Sequence, residues 1–149
     1  MHPFDPKSAL FAKHAQHVVL IHFPIALCLV SIVLDFIAQW TKKRVLEEVV
    51  YYNLLVAAIC TVPVVVSGLL AWHWQLEGQR LKGTLLLHLV LGLVASGMIW
   101  LVWSLHFRAH RNPDRKLPLY RLPIELAAAT VVAVTAHLGG FLSGVNGPG

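Results

Sequence analysis

Residues 18–40, VVLIHFPIALCLVSIVLDFIAQW, decide the fold. The stretch carries a single formal charge, Asp35. As a helix rising about 1.5 Å per residue it is long enough to cross a hydrocarbon core of about 30 Å. Backbone amides in lipid must be satisfied within their own segment, so such a run is read as a helix. Three further runs of the same kind follow, at residues 50–74, 84–107 and 122–142. The expected fold class is therefore all-α, an integral membrane four-helix bundle.

Composition agrees. Hydrophobic residues make up 57% of the chain and charged residues 13%, with a mean hydropathy of +0.68. Soluble domains carry about 25% charged residues. A length of 149 residues leaves room for one domain, residues 17–149, behind a polar tail at residues 1–16. The tail contains Pro3 and Pro6 and lacks the basic start, apolar core and small-residue cleavage site of a signal peptide. It reads as retained, with an interfacial turn expected over residues 8–14. Pro24 is expected in the first turns of its helix, where a missing N–H costs little. Pro63 is expected to kink the second helix. No internal repeat or low-complexity segment stands out.

The connections are short and unequal in charge. Residues 41–49 and 108–121 together hold eight Lys/Arg: Lys42, Lys43, Arg44, Arg108, Arg111, Arg115, Lys116 and Arg121. The tail and residues 75–83 hold four: Lys7, Lys13, Arg80 and Lys82. The positive-inside rule puts the eight-charge side in the cytoplasm and both termini outside, at the periplasmic face of a bacterial inner membrane. The net charge of +5 thus points to lipid headgroups and not to nucleic acid. Trp40, Trp72, Trp74, Trp103 and Tyr120 lie near span ends, as interfacial aromatics do, while Trp100 lies deeper and is expected to pack between helices. Cys28 and Cys60 lie in apolar runs and read as small core residues. No C-x-x-C-H motif is present, which excludes covalent c-type haem attachment.

The chemistry-bearing residues are histidines. With this topology His22, His73, His88 and His137 fall at one membrane face, and His17 lies just above them. An imidazole in hydrocarbon is costly without a partner and marks a functional site by default. Histidines on facing helices suit a b-type haem, whose iron takes imidazole nitrogen from both sides. The competing reading for His22, His88 and His137 is hydrogen bonding between helices. His73, between Trp72 and Trp74, reads more simply as an interfacial side chain. His17 precedes His22 by five residues, about 140° around a helix from it. The two cannot share a ligand unless the helix starts between them. Gly92 and Ser96 share a face with His88, Ala129 and Ala133 share one with His137, and Gly140 and Gly144 continue on a neighbouring face. Small rows let helices approach closely or let a flat macrocycle lie on the backbone.

Asp35, three turns from His22, needs a proton or a partner. Lys42, Arg44 and Arg108 are candidates to reach it, and its role is either a structural ion pair or a proton relay. Glu125, one turn after Arg121, is similar. There is no nucleophile elbow, H-E-x-x-H motif, phosphate loop or dinucleotide fingerprint, so nothing supports a hydrolase. Histidines alone can ligate zinc, but no cysteine or carboxylate accompanies the outer cluster.

These residues also carry a family resemblance. His17-Val-Val-Leu-Ile-His22-Phe-Pro-Ile-Ala-Leu resembles the H-P-x-x-x-H-F-P-I-A-L opening of a bacterial four-helix membrane domain of unknown function, number 2231. Asp35, Gly68-Leu-Leu-Ala-Trp72, His88-Leu-Val-Leu-Gly92 and Thr135-Ala-His137-Leu-Gly139-Gly140-Phe-Leu142 resemble its later elements. The resemblance runs from His17 to about Gly147. Val18 departs from its pattern, as does Asn146-Gly147, where many members carry a histidine and glycine. Some members look like, or are fused to, electron-transfer modules. That implies haem b, one or two, with His22, His88 and His137 matching family histidines and His17 or His73 completing a second site. The expected function is an electron-transfer subunit, not an enzyme on its own, with quinol, a c-type cytochrome or a larger redox complex as partner. Two alternatives stand beside it. One is a non-catalytic accessory subunit of a larger membrane complex. The other is a metal-handling or transport protein that would need to oligomerise.

Overall fold

A computed structural model describes residues 15–75, 77–78, 80–112, 114 and 117–143. The tail with its expected turn, and Gly144, lie outside them. Four helices account for nearly all of the described chain: α1 Ala15–Thr41, α2 Arg44–Gln75, α3 Gly83–Arg111 and α4 Arg121–Leu142. All four are long and apolar enough to cross a membrane. They run up and down around a ring in which α1 packs on α2, α2 on α3, α3 on α4, and α4 more lightly on α1. Mid-helix Val33, Phe36, Val62, Val66, Leu93 and Leu101 point away from the bundle. An apolar belt of that extent is stable only against lipid acyl chains. Inside, Cys28, Ala57, Ala58, Ala95 and Ala128 are small enough to bring the helix backbones close.

The helices overrun the apolar spans. α2 starts at Arg44, not at residue 50, and α3 continues through Arg111. Hydropathy locates the lipid slab, whereas Arg, Leu and Glu are good helix formers that carry the helix on through the headgroups. The first connection therefore shrinks to Lys42 and Lys43. Lys42 has φ 55°, and its N–H donates to the Ala38 carbonyl at 2.7 Å to close α1. Pro24 is corrected too: α1 starts at Ala15, so the proline is buried inside the helix and not in its first turns. α2 remains helical through Pro63. Trp100 donates from Nε1 to Thr61 Oγ1 on α2 at 3.2 Å, but its ring is exposed and not packed between helices as expected.

The structure also reveals an internal repeat that the sequence alone hides. Buried and half-buried positions of the first hairpin, α1–α2, recur in the second, α3–α4, 71 positions later (17 to 88, 35 to 106, 68 to 139). At that offset Cys28 meets Ile99, Ser31 meets Val102, Asp35 meets His106 and Ala38 meets Ala109. On the second helix of each hairpin Val50 meets Arg121, Leu54 meets Glu125, Ala57 meets Ala128 and Thr61 meets Val132. Both members of each of these pairs are buried. His17 and His88, Ala38 and Ala109, Ala57 and Ala128, and Gly68 and Gly139 are identical. Two helices per unit return the chain to the same side, so the halves are parallel repeats about an axis along the membrane normal.

Candidate functional site

Two polar clusters lie at opposite ends of the bundle. At the end where α1 and α3 begin, each hairpin holds one histidine in the same way. His17 Nδ1 lies 2.9 Å from Ser67 Oγ on α2. That hydroxyl donates its own hydrogen to the Val64 carbonyl at 3.0 Å, so it accepts from His17 and the proton sits on Nδ1. In the other hairpin His88 Nδ1 donates to the Thr135 carbonyl at 3.1 Å. Both imidazoles are thus fixed as the Nδ1–H tautomer. Each Nε2 keeps its lone pair, with no hydrogen-bond partner among the described residues. Each ring also lies against a glycine. A Cβ at Gly68 would come within 2.9 Å of His17 Cε1, and one at Gly139 within 3.1 Å of His88 Cε1.

The other expected outer residues are placed differently. His22 is exposed and bonds its own helix, Nδ1 to the Val18 carbonyl at 2.6 Å. His137 is exposed and meets the Phe141 ring edge-on at 4.9 Å. His73 is exposed at the rim of α2. None of the three converges with His17 and His88. Gly92 faces Thr135, whose Cγ2 would lie an ordinary 3.9 Å from an added Cβ. Gly140 receives a hydrogen bond from Ser143 Oγ on its carbonyl at 3.1 Å.

The opposite end is ionic. Asp35 from α1, His106 from α3, and Arg121 and Glu125 from α4 are all at most 5% exposed, so their charges have only one another for compensation. Arg121 Nε donates to Asp35 Oδ2 at 3.1 Å, and NH2 lies 3.1 Å from the same oxygen. Gln39 Nε2 adds a third donor to that oxygen at 2.8 Å. Arg121 NH1 donates to the Pro118 carbonyl at 3.3 Å. His106 Nε2 lies 3.0 Å from Glu125 Oε1, an oxygen 3.8 Å from Arg121 Nε. Arg121, counted among loop charges by sequence, is a core residue, and it replaces Lys42, Arg44 and Arg108 as the partner of Asp35. Donor atoms of Asp35, His106 and Glu125 lie within 4.8 Å of one another, as a metal site requires. The guanidinium already supplies the cation there.

The family model described as a predicted membrane protein, DUF2231, matches residues 13–147. The chain belongs to the DUF2231 family. No curated protein and no solved structure matches it. In this DUF2231 member the family match spans both clusters and all four helices. Sequence reasoning missed Gly139 beside His88, the buried role of His106, and Arg121 as a core cation. The 71-residue offset would have paired His106 with Asp35 and drawn attention to both.

The glycine seats give a graded test in this DUF2231 chain. Gly68→Ala and Gly139→Ala each push a histidine ring, so each is expected to cost about 1–3 kcal/mol by overpacking. Gly68→Ala should cost more, having the closer contact. Gly92→Ala, with ordinary van der Waals room, should cost least. Denaturant unfolding in mixed micelles measures all three, and the reverse order would contradict the packing described.

Proposed function

We propose that this chain is a b-type haem-binding membrane subunit that passes electrons at the His17/His88 end of the bundle. The single observation that supports the reading is the matched pair of imidazoles. Each is oriented by a hydrogen bond at Nδ1 and has an uncommitted Nε2, the arrangement that ligating histidines adopt. The donor set fits a haem iron, and His17 and His88 would hold it. A bound haem supplies one-electron exchange. The chain's own part is to fix ring orientation through Ser67 and the Thr135 carbonyl, and to bring the rings close to the backbone at Gly68 and Gly139.

The basic residues at the opposite end support a cytoplasmic assignment for it. The histidine end then faces the periplasm of a bacterial inner membrane, within reach of a c-type cytochrome, a quinol or a larger redox complex. A reduced-minus-oxidised spectrum of protein purified in mild detergent from haem-replete cells tests the reading. A sharp α-band with stoichiometric pyridine haemochrome is expected. Protein that is folded and haem-free under those conditions overturns it.

A further inference from the structure

We infer that His106 and Glu125 form a proton-exchange site, filled and emptied from the membrane face at the Lys42–Lys43 end. The inference is independent of the haem reading. It starts from charge balance in the buried cluster. Asp35 and Arg121 cancel, leaving the His106–Glu125 pair to settle its own charge. With one proton on the pair, as imidazolium–carboxylate or as neutral imidazole and carboxylic acid, the cluster is neutral. With none, it carries an uncompensated negative charge in a low-dielectric core. The pair therefore holds one proton that can be exchanged.

Three observations point to exchange and not to a static strut. First, Glu125 Oε2 is buried without a hydrogen-bond partner among the described residues. An orphaned oxygen is far less costly on a neutral acid than on a carboxylate, so the geometry accommodates the proton on Glu125 as well as on His106. Second, a cavity of about 20 Å³, enough for one water, is lined by His106 together with Glu47, Tyr51, Ala109, His110 and Leu117. His106 Nδ1 has no hydrogen-bond partner among the described residues and is the nitrogen left for that water. In the cavity wall His110 stacks on Tyr51 at 4.3 Å and lies 3.6 Å from Glu48, with His110 and Glu48 both half-exposed. Third, the other half of the repeat fills the same positions without charge. The positions equivalent to Arg121 and Glu125 in the first hairpin are Val50 and Leu54, equally buried and apolar.

The step balances simply. A proton from the aqueous phase is relayed through the cavity water, which takes up one proton as it gives one to His106 Nδ1, and the proton on Nε2 moves to Glu125 Oε1. The imidazole is left neutral and the carboxyl protonated. Reversal empties the site. The groups facing the pair are Asp35 and Cys28 from α1, Glu47 and Tyr51 from α2, His110 from α3, and Arg121 from α4. Only Asp35 and Arg121 are buried ions, and they neutralise one another.

pH-difference infrared spectroscopy of the full chain in nanodiscs tests the inference, scanned between about pH 5 and pH 9, on either side of neutrality. One carboxyl band pair that shifts in deuterium oxide is expected above the background of the chain's other histidines. E125Q and H106Q should each lose it. The variant D35N/R121V/E125L, which places the apolar residues of the first hairpin in the second, should fold and show no buried titration. Survival of the proton signal in folded E125Q, or its absence from the parent chain, overturns the inference.

Discussion

Arg121→Ala is expected to destabilise the bundle by about 3–5 kcal/mol, the cost of stripping a buried charge of its partner. The guanidinium is the only cation within hydrogen-bond range of Asp35 among the described residues, and it also reaches Glu125 and the Pro118 carbonyl. Its removal leaves two buried carboxylates facing Gln39 and His106. Arg121→Lys should recover only part of the loss, because an ammonium cannot spread fixed donors over Asp35 and Pro118 together. D35N/R121V/E125L should recover most of it, since replacing buried ions on both sides is often nearly neutral. Reversible unfolding in mixed micelles gives the order. Parent-like stability of Arg121→Ala would mean that the ion pair does not hold α1 to α4.

The second large effect concerns the opposite end and separates the histidines sharply. If His17 and His88 hold a haem as proposed, His17→Ala or His88→Ala is expected to abolish its spectrum, each removing one of the two imidazoles that would hold the iron. His22→Ala and His137→Ala should leave it intact, because those rings lie on the outside of the bundle. Ser67→Ala removes only the group that orients His17, and should weaken haem retention by roughly 10–100-fold while leaving the α-band position close to that of the parent. Pyridine haemochrome titration of the purified variants measures all five. Loss of haem in His22→Ala alone would move the ligand to the other face of α1.

Four helices, their order and their approximate spans were legible because transfer of apolar side chains into lipid is written directly in hydropathy. Helix ends were not, because Arg44 and Glu47 extend α2 by propensity where hydropathy has already stopped. The divergence of His17 and His22 around the helix was correctly anticipated. Which of them faces inward was not, because that depends on how the face of α1 bearing Cys28 and Asp35 rotates toward α2 and α4. Likewise His137 shares a row with Ala133, whereas the inward row of α4 runs through Glu125, Ala128 and Val132. Asp35 was singled out, but its partner lies 86 positions away, a distance that only packing can close. The repeat is hard to see by identity because most of the matched buried positions differ in residue type, several exchanging an apolar residue for a polar or charged one, as Leu54 and Glu125 do. It becomes visible when burial, and not identity, is compared.

The repeat has a consequence for how the chain must be assembled. A first hairpin paired with a copy of itself would keep the histidine seats, but it would bury two aspartates opposite two valines and two leucines. No cation would lie between them. Asp35 is tolerable only because the other half brings an arginine to it. The joining of both halves in one polypeptide fixes their ratio at one to one, so every acidic half is made with the partner that neutralises it.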